Sequence, residues 1–228
     1  MRAALFFVPA QHHPLTRAAA VWLMRDAYTR GTVPPARDDR LSTAEMRELT
    51  AEPRRYGFHA TLKAPFRLAD GIDLGDVKAA AEALARHTEA WPLPRLEIER
   101  LGPFFALVPS GPDPRLQAFA AEVVSLFDRF RAPLMSGEMA RRRPENLSPS
   151  QLENLHRWGY PHVLDDFQFH MTLTGPVPAE KQAAVADVLE RRFAPLLRTP
   201  VALDALAIFV EPESGAEFHV EARYPFAG

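Results

Sequence analysis

Apolar and polar positions follow two rhythms along this chain, and each change of rhythm predicts a new element. The chain opens on an uninterrupted apolar run, Ala3-Ala4-Leu5-Phe6-Phe7-Val8, that reads as a first strand. Residues 15–28 are rich in alanine, with apolar positions at Ala18, Val21, Trp22 and Leu23, and predict a helix that stops before Gly31 and Pro34-Pro35. Ser42-Thr43-Ala44-Glu45 has capping-box spacing and opens a short helix to Leu49. Residues 56–66 then alternate, as a strand does. A helix over 76–89 and two short strands over 95–101 and 104–108 follow. Asp113-Pro114 places an N-cap ahead of a proline at the first helical position, and apolar Leu116, Phe119, Val123 and Phe127 carry that helix to about Phe130. Residues 133–148 read as irregular. Ser148-Pro149-Ser150-Gln151 opens another helix to about Trp158. Residues 167–174 alternate again, 180–197 predict a helix, and strands over 201–210 and 217–224 close the chain.

This order runs twice. Helix, alternating strand, helix and two strands occur once up to Val108 and again from Asp113 onward, which predicts a duplicated α+β unit with a pseudo-two-fold. The expected organisation is a single domain over 1–228, with one repeat over about 1–110 and the other over about 111–228.

The two alternating strands match residue by residue. One reads Phe58-His59-Ala60-Thr61-Leu62-Lys63-Ala64-Pro65 and the other Phe169-His170-Met171-Thr172-Leu173-Thr174-Gly175-Pro176, with Phe, His, Thr, Leu and Pro in register. Strand side chains point to alternate faces. One face is therefore apolar in each copy, and the other presents an imidazole beside a hydroxyl, at His59 with Thr61 and at His170 with Thr172. Two such faces related by a two-fold can meet in one cleft. Hydrolysis of a phosphodiester needs a base on the attacking water and an acid on the leaving oxygen. Imidazoles titrating near ~6.5 can fill both roles at neutral pH. Threonine hydroxyls can donate to the non-bridging oxygens. Which histidine is the base stays open in the sequence, with His170 preferred as base and His59 as acid.

Further candidates flank the motifs. Lys63 shares the expected face of His59 and is a candidate phosphate ligand, with Thr174 at the equivalent place in the second copy. Arg141, Arg142 and Arg143 are candidate phosphate ligands, weighed against a solvated charged surface. Arg54, Arg55 and Tyr56 precede the first motif, and Tyr56 is a candidate substrate contact. Trp158 and Tyr160 offer faces for stacking on a sugar or base, weighed against core packing. His12, His13, His87, His156, His162 and His219 show no metal-ligand spacing, so neither a metal nor a cofactor is expected. There is no Walker loop and no G-x-G-x-x-G.

Composition narrows the field. The 228 residues carry 27 Lys and Arg against 29 Asp and Glu, a net charge of −2, which suits a small substrate better than long nucleic acid. The absence of cysteine excludes disulfides, thiolate metal sites and a thiol nucleophile. The first apolar run is too short for a signal-peptide core, and no stretch reaches the ~18 apolar residues of a membrane helix. A cytoplasmic protein is the expectation.

The two motifs, His59-Ala60-Thr61-Leu62 and His170-Met171-Thr172-Leu173, resemble those of the 2H phosphoesterase superfamily. The strings YGFHATLKAPF and FHMTLTGP, with RWGYP at 157–161, look like a bacterial branch of it encoded near phosphonate-utilisation genes. The resemblance spans essentially the whole chain. It implies a duplicated, bilobal α+β fold, with two antiparallel-rich sheets flanked by helices around a central cleft. It also implies a metal-independent cyclic phosphodiesterase, acting on a 2′,3′-cyclic nucleotide or a ribose cyclic phosphate. A non-catalytic module binding a phosphorylated metabolite, and an enzyme that processes or joins RNA ends, are the alternatives. The sequence leaves the oligomeric state undetermined.

Overall fold

The computed structural model describes residues 1–36, 38 and 40–227. In chain order the elements are β1 (Arg2–Phe7), α1 (Pro14–Leu23), β2 (Arg25–Asp26), β3 (Gly31–Thr32), α2 (Thr43–Leu49), α3 (Ala51–Tyr56), β4 (Ala60–Phe66) and α4 (Leu74–Arg86). Then come β5 (Trp91–Pro92), β6 (Leu96–Leu101), β7 (Phe104–Pro109), α5 (Pro114–Phe127), α6 (Ser136–Arg141) and α7 (Pro149–Trp158). The chain ends with β8 (Met171–Thr172), α8 (Gln182–Phe193), β9 (Ala202–Leu203), β10 (Ala205–Glu211) and β11 (His219–Pro225).

Seven strands form one antiparallel sheet in the order β11-β10-β1-β4-β8-β7-β6. Where the resemblance implies two large sheets, β4 and β8 pair with each other and join seven strands into one, while β2 with β3 and β5 with β9 form small separate pairs. The halves of the chain interleave in the seven-stranded sheet. The β6–β7 hairpin of the first half flanks β8 of the second, and the β10–β11 hairpin of the second half flanks β1 of the first.

The sheet is layered. Ala3, Leu5 and Phe7 of β1 join the main core with α1, α4, α5 and α8, whereas Ala4, Phe6 and Val8 pack with Ala207, Phe209 and Phe218 on the opposite face. Both sides of β1 are covered, which is why its sequence is an unbroken apolar run. Burying each such Leu or Phe side chain contributes about 1.5–3 kcal/mol before entropy is counted.

The predicted caps are in place. Ser42 and Ser148 each close a capping box, and the Asp113 carboxylate accepts from the backbone N–H groups of Arg115 and Leu116 ahead of α5. Asp73, outside the expected 76–89 helix, caps α4 in the same way.

Several boundaries differ from expectation: the 76–89 helix runs Leu74–Arg86, the 180–197 helix is Gln182–Phe193, and the 201–210 strand divides into β9 and β10. The first helix ends at Leu23 because Met24 takes a left-handed conformation, φ 56°. The 56–66 segment divides, Tyr56 closing α3 and the strand starting at Ala60. The 133–148 segment holds α6, its first turn tied by Glu138 accepting from the Met135 N–H at 2.8 Å. The second alternating strand shortens to Met171–Thr172, with Leu173 still donating to the Phe105 carbonyl at 2.9 Å. No helix among the described residues is long and apolar enough to cross a membrane.

Candidate active site

The cleft begins at the turn between α3 and β4. Gly57 holds φ 77°, and a Cβ there would lie 2.6 Å from the Cβ of Ala27, so only glycine fits. Buried Arg25 fixes the turn from behind, donating to the Arg54 carbonyl at 2.9 Å and to the Phe218 carbonyl. Arg54 is used structurally too, donating to the Leu23 carbonyl at 3.0 Å.

The Gly57 carbonyl lies 2.9 Å from Nδ1 of His59. A carbonyl only accepts, so Nδ1 carries the proton and Nε2 of the neutral ring has a free lone pair. Oγ1 of Thr61 is 3.3 Å from that Nε2. Phe6 stacks on the imidazole, centroids 3.9 Å apart at 21°. The second copy repeats the carbonyl contact, with Nδ1 of His170 donating to the Gln168 carbonyl at 2.8 Å. Both rings thus share one tautomer, each set by the carbonyl two residues earlier.

The strand register brings the copies together. Ala60 pairs with Met171 across β4 and β8. One step either way along that register sets His59 across from Thr172 and Thr61 across from His170. The imidazoles are diagonal neighbours, which in antiparallel sheets puts side chains roughly 7–8 Å apart at their roots. His59, Thr61 and Thr172 line a cleft of about 550 Å³ with Phe6, Tyr56 and Phe104. His170 stands beside Phe104, ring centroids 6.0 Å apart.

Burial pushes the His59 imidazole down to about 4; the Gly57 bond opposes this, and charge on His170 adds to it. His59 is therefore neutral at pH 7. A neutral ring is able to accept a proton.

Lys63 is not in the cleft. The β1–β4 register slips twice between Thr61 and Phe66, each time adding a residue to β4, and these bulges break the alternation. Lys63 turns to the helical side, where it donates to the Val124 carbonyl and to Asp128, both at 3.1 Å. Burial lowers its ammonium to about 8, against the pull of Asp128. Thr174 is fully buried and its hydroxyl accepts from the Phe105 N–H at 2.9 Å.

The arginine run divides. Arg142 lines the cleft, its guanidinium 4.9 Å from the ring centre of Tyr160, which also lines it. Arg141 lines an adjoining recess, and Arg143 is exposed at a left-handed position, φ 48°. Tyr56 lines the cleft and stacks on Phe218, centroids 4.9 Å apart. Trp158 lies instead beside Lys63 and Phe66 around a separate void of about 10 Å³.

Sequence reasoning missed Arg2 and Glu211. Glu211 is fully buried and accepts from Arg2 at 2.9 Å, from the Gly215 N–H at 3.1 Å and from Arg55. Burial works to raise its carboxyl, and the Arg2 bond and charge, with Gly215 and Arg55, outweigh burial and hold it below the usual carboxylate range. Arg2 and Arg55 both line the cleft. The only sequence signal was the oddity of a glutamate ending an apolar strand. Among the described residues, no group of three His, Asp or Glu side chains is placed to share a metal ion.

A family model described as "Protein of unknown function (DUF1045)" matches residues 61–219, well over half of the chain. The chain belongs to the DUF1045 family. The match starts at Thr61, two residues after His59, and includes His170 and Thr172. This DUF1045 chain is also 36% identical over 231 residues to the ribose 1,5-bisphosphate phosphokinase PhnN of Janthinobacterium sp. (strain Marseille), covering 100% of this chain and 51% of that protein. It is 32% identical over 222 residues to the protein of the same name from Laribacter hongkongensis (strain HLHK9), covering 96% and 50%. The chain thus spans about half the length of the curated relatives it matches.

Proposed function

We propose that this chain is a phosphoesterase that opens a small cyclic phosphodiester on ribose, within phosphonate metabolism, using His59 and His170 as its acid–base pair. The observation that carries this reading is the repeated imidazole geometry. Two rings with the same Nδ1-to-carbonyl contact stand just ahead of two paired strands, diagonal to each other across the register, and Nε2 of His59 lies beside the Thr61 hydroxyl. In the proposed step His59 takes a proton from water as the water oxygen bonds to phosphorus. The bond from phosphorus to one ring oxygen breaks, and imidazolium His170 gives that oxygen its proton. The product is a phosphomonoester next to a free hydroxyl. Thr61 and Thr172 donate to the non-bridging oxygens, where charge builds.

The names of the relatives support a phosphorylated ribose as the substrate class. The kinase activity in those names is said of proteins about twice as long. This chain has no G-x-x-x-x-G-K-[ST] loop to cradle a nucleotide triphosphate, so its own residues favour hydrolysis.

The test is turnover of ribose cyclic phosphates and 2′,3′-cyclic nucleotides followed by phosphorus NMR. His59→Ala and His170→Ala should each lower kcat by about 10²–10⁴-fold, with the fold retained by circular dichroism. Unaltered turnover in both variants overturns the assignment. Tight binding of the ester with no product would instead mark a binding module.

A further inference from the structure

Beside the histidine cleft lies a recess of about 460 Å³, and the two share Arg2, Arg55, Tyr56, Pro65 and Arg142 as a common wall. Arg67 and Arg141 complete the cationic lining, and Glu138 and Glu211 are the carboxylates facing it. Five guanidinium groups against two carboxylates leave a side-chain charge of +3 in the recess, on a chain whose net charge is −2.

The recess is built rather than merely charged. Buried Glu211 holds Arg2 and Arg55, and Glu138 holds Arg67 at 3.3 Å. Arg142 is steadied by the ring of Tyr160. Among the described residues, neither Arg141 nor Arg142 has a carboxylate within ion-pair distance. Glu211 and Glu138 are taken up by Arg2, Arg55 and Arg67, so Arg141 and Arg142 are the guanidinium groups left to draw an anion. Their planar donor geometry matches phosphate oxygens two at a time.

We infer that this recess is a second phosphate subsite, so that the substrate carries a phosphomonoester in addition to the cyclic ester that is opened. The inference rests on the proposed hydrolase reading for the role of the first site. The signs agree: a phosphomonoester brings about −1.5 to −2, and the side chains lining the recess are net positive. On a ribose ring the second group occupies a carbon outside the cyclic ester, spanning the wall that Arg55 and Arg142 share between the two cavities.

Calorimetry with ribose 5-phosphate, ribose and inorganic phosphate tests the subsite apart from catalysis. Wild type, an Arg141→Gln/Arg142→Gln variant and a His59→Ala/His170→Ala variant are compared, each checked by thermal unfolding. Ribose 5-phosphate should bind wild type and the histidine variant alike. Its affinity should fall about 10- to 100-fold in the arginine variant, as expected for lost charge-assisted bonds. Affinity that survives the arginine changes, or is lost with the histidines, overturns the subsite. Equal affinity for inorganic phosphate and ribose 5-phosphate overturns the claim that the group is part of the substrate. The kinetic arm compares kcat/KM for a ribose cyclic phosphate with and without a 5-phosphate. Wild type should prefer the doubly phosphorylated ring by about 10- to 100-fold, and the arginine variant should lose that ratio. Arginine-dependent binding of ribose 5-phosphate with no turnover of either ring leaves the subsite standing and removes the hydrolase reading.

Discussion

The His59 imidazole, stacked under Phe6, is pushed down to about 4, while an unfolded chain binds that proton near ~6.5. A histidine depressed in the folded state contributes stability that is fully present above the unfolded value and is lost as pH falls toward the folded one. Chemical denaturation should therefore show stability falling between about pH 6.5 and 4, and a His59→Gln variant should flatten that fall. The ceiling is on the order of 3 kcal/mol, less for a ring partly open to the cleft. Gly57 sets the same ring's carbonyl partner. Gly57→Ala combines a left-handed backbone with a Cβ clash against Ala27, so a loss of about 1–3 kcal/mol and of turnover is expected in urea titrations and assays. Lys63 makes the opposite prediction. It sits under α5, away from the cleft, so Lys63→Met should leave turnover of the cyclic ester at the wild-type level. A collapse of activity with the fold intact would return Lys63 to the site.

Elements differ in how plainly the chain announces them. Ser42, Asp113 and Ser148 declare their helices because the side chain that marks each start is the one that satisfies its first backbone N–H groups. The His-x-Thr strands were legible because period-two alternation needs only local residue types, and those types place His59, Thr61 and Thr172 on the cleft face. The bulges in β4 were not legible. They arise from pairing with β1, some sixty residues earlier in the chain, and the one local hint is Pro65, which cannot donate to a ladder and does not say where the register slips. Counting by twos past Thr61 therefore put Lys63 on the wrong side. The Arg2–Glu211 pair has the same origin, its partners 209 residues apart and brought together by β1 lying against β10.

At the scale of the molecule, the repeat in the sequence does not correspond to two separable bodies. β1 is bordered by β10 and β7 by β8, so each half completes its sheet with strands from the other. A fragment of residues 1–110 leaves β1 and β7 with unpaired edges and is expected to be unfolded by circular dichroism. Mixing it with residues 111–228 should restore helical signal and turnover. A folded 1–110 fragment would show that the hairpin exchange is dispensable.

The position of β1 has a practical corollary. Met1 and Arg2 form part of the arginine recess, whereas Phe226, close to the other end, packs against Trp91 and Phe119 on the helical side. An affinity handle fused ahead of Met1 would hang over the mouth of the recess and compete with anionic ligands, and an acidic or histidine-rich tag would distort every titration made there. Assays on protein tagged at the front should be repeated once the tag has been cleaved.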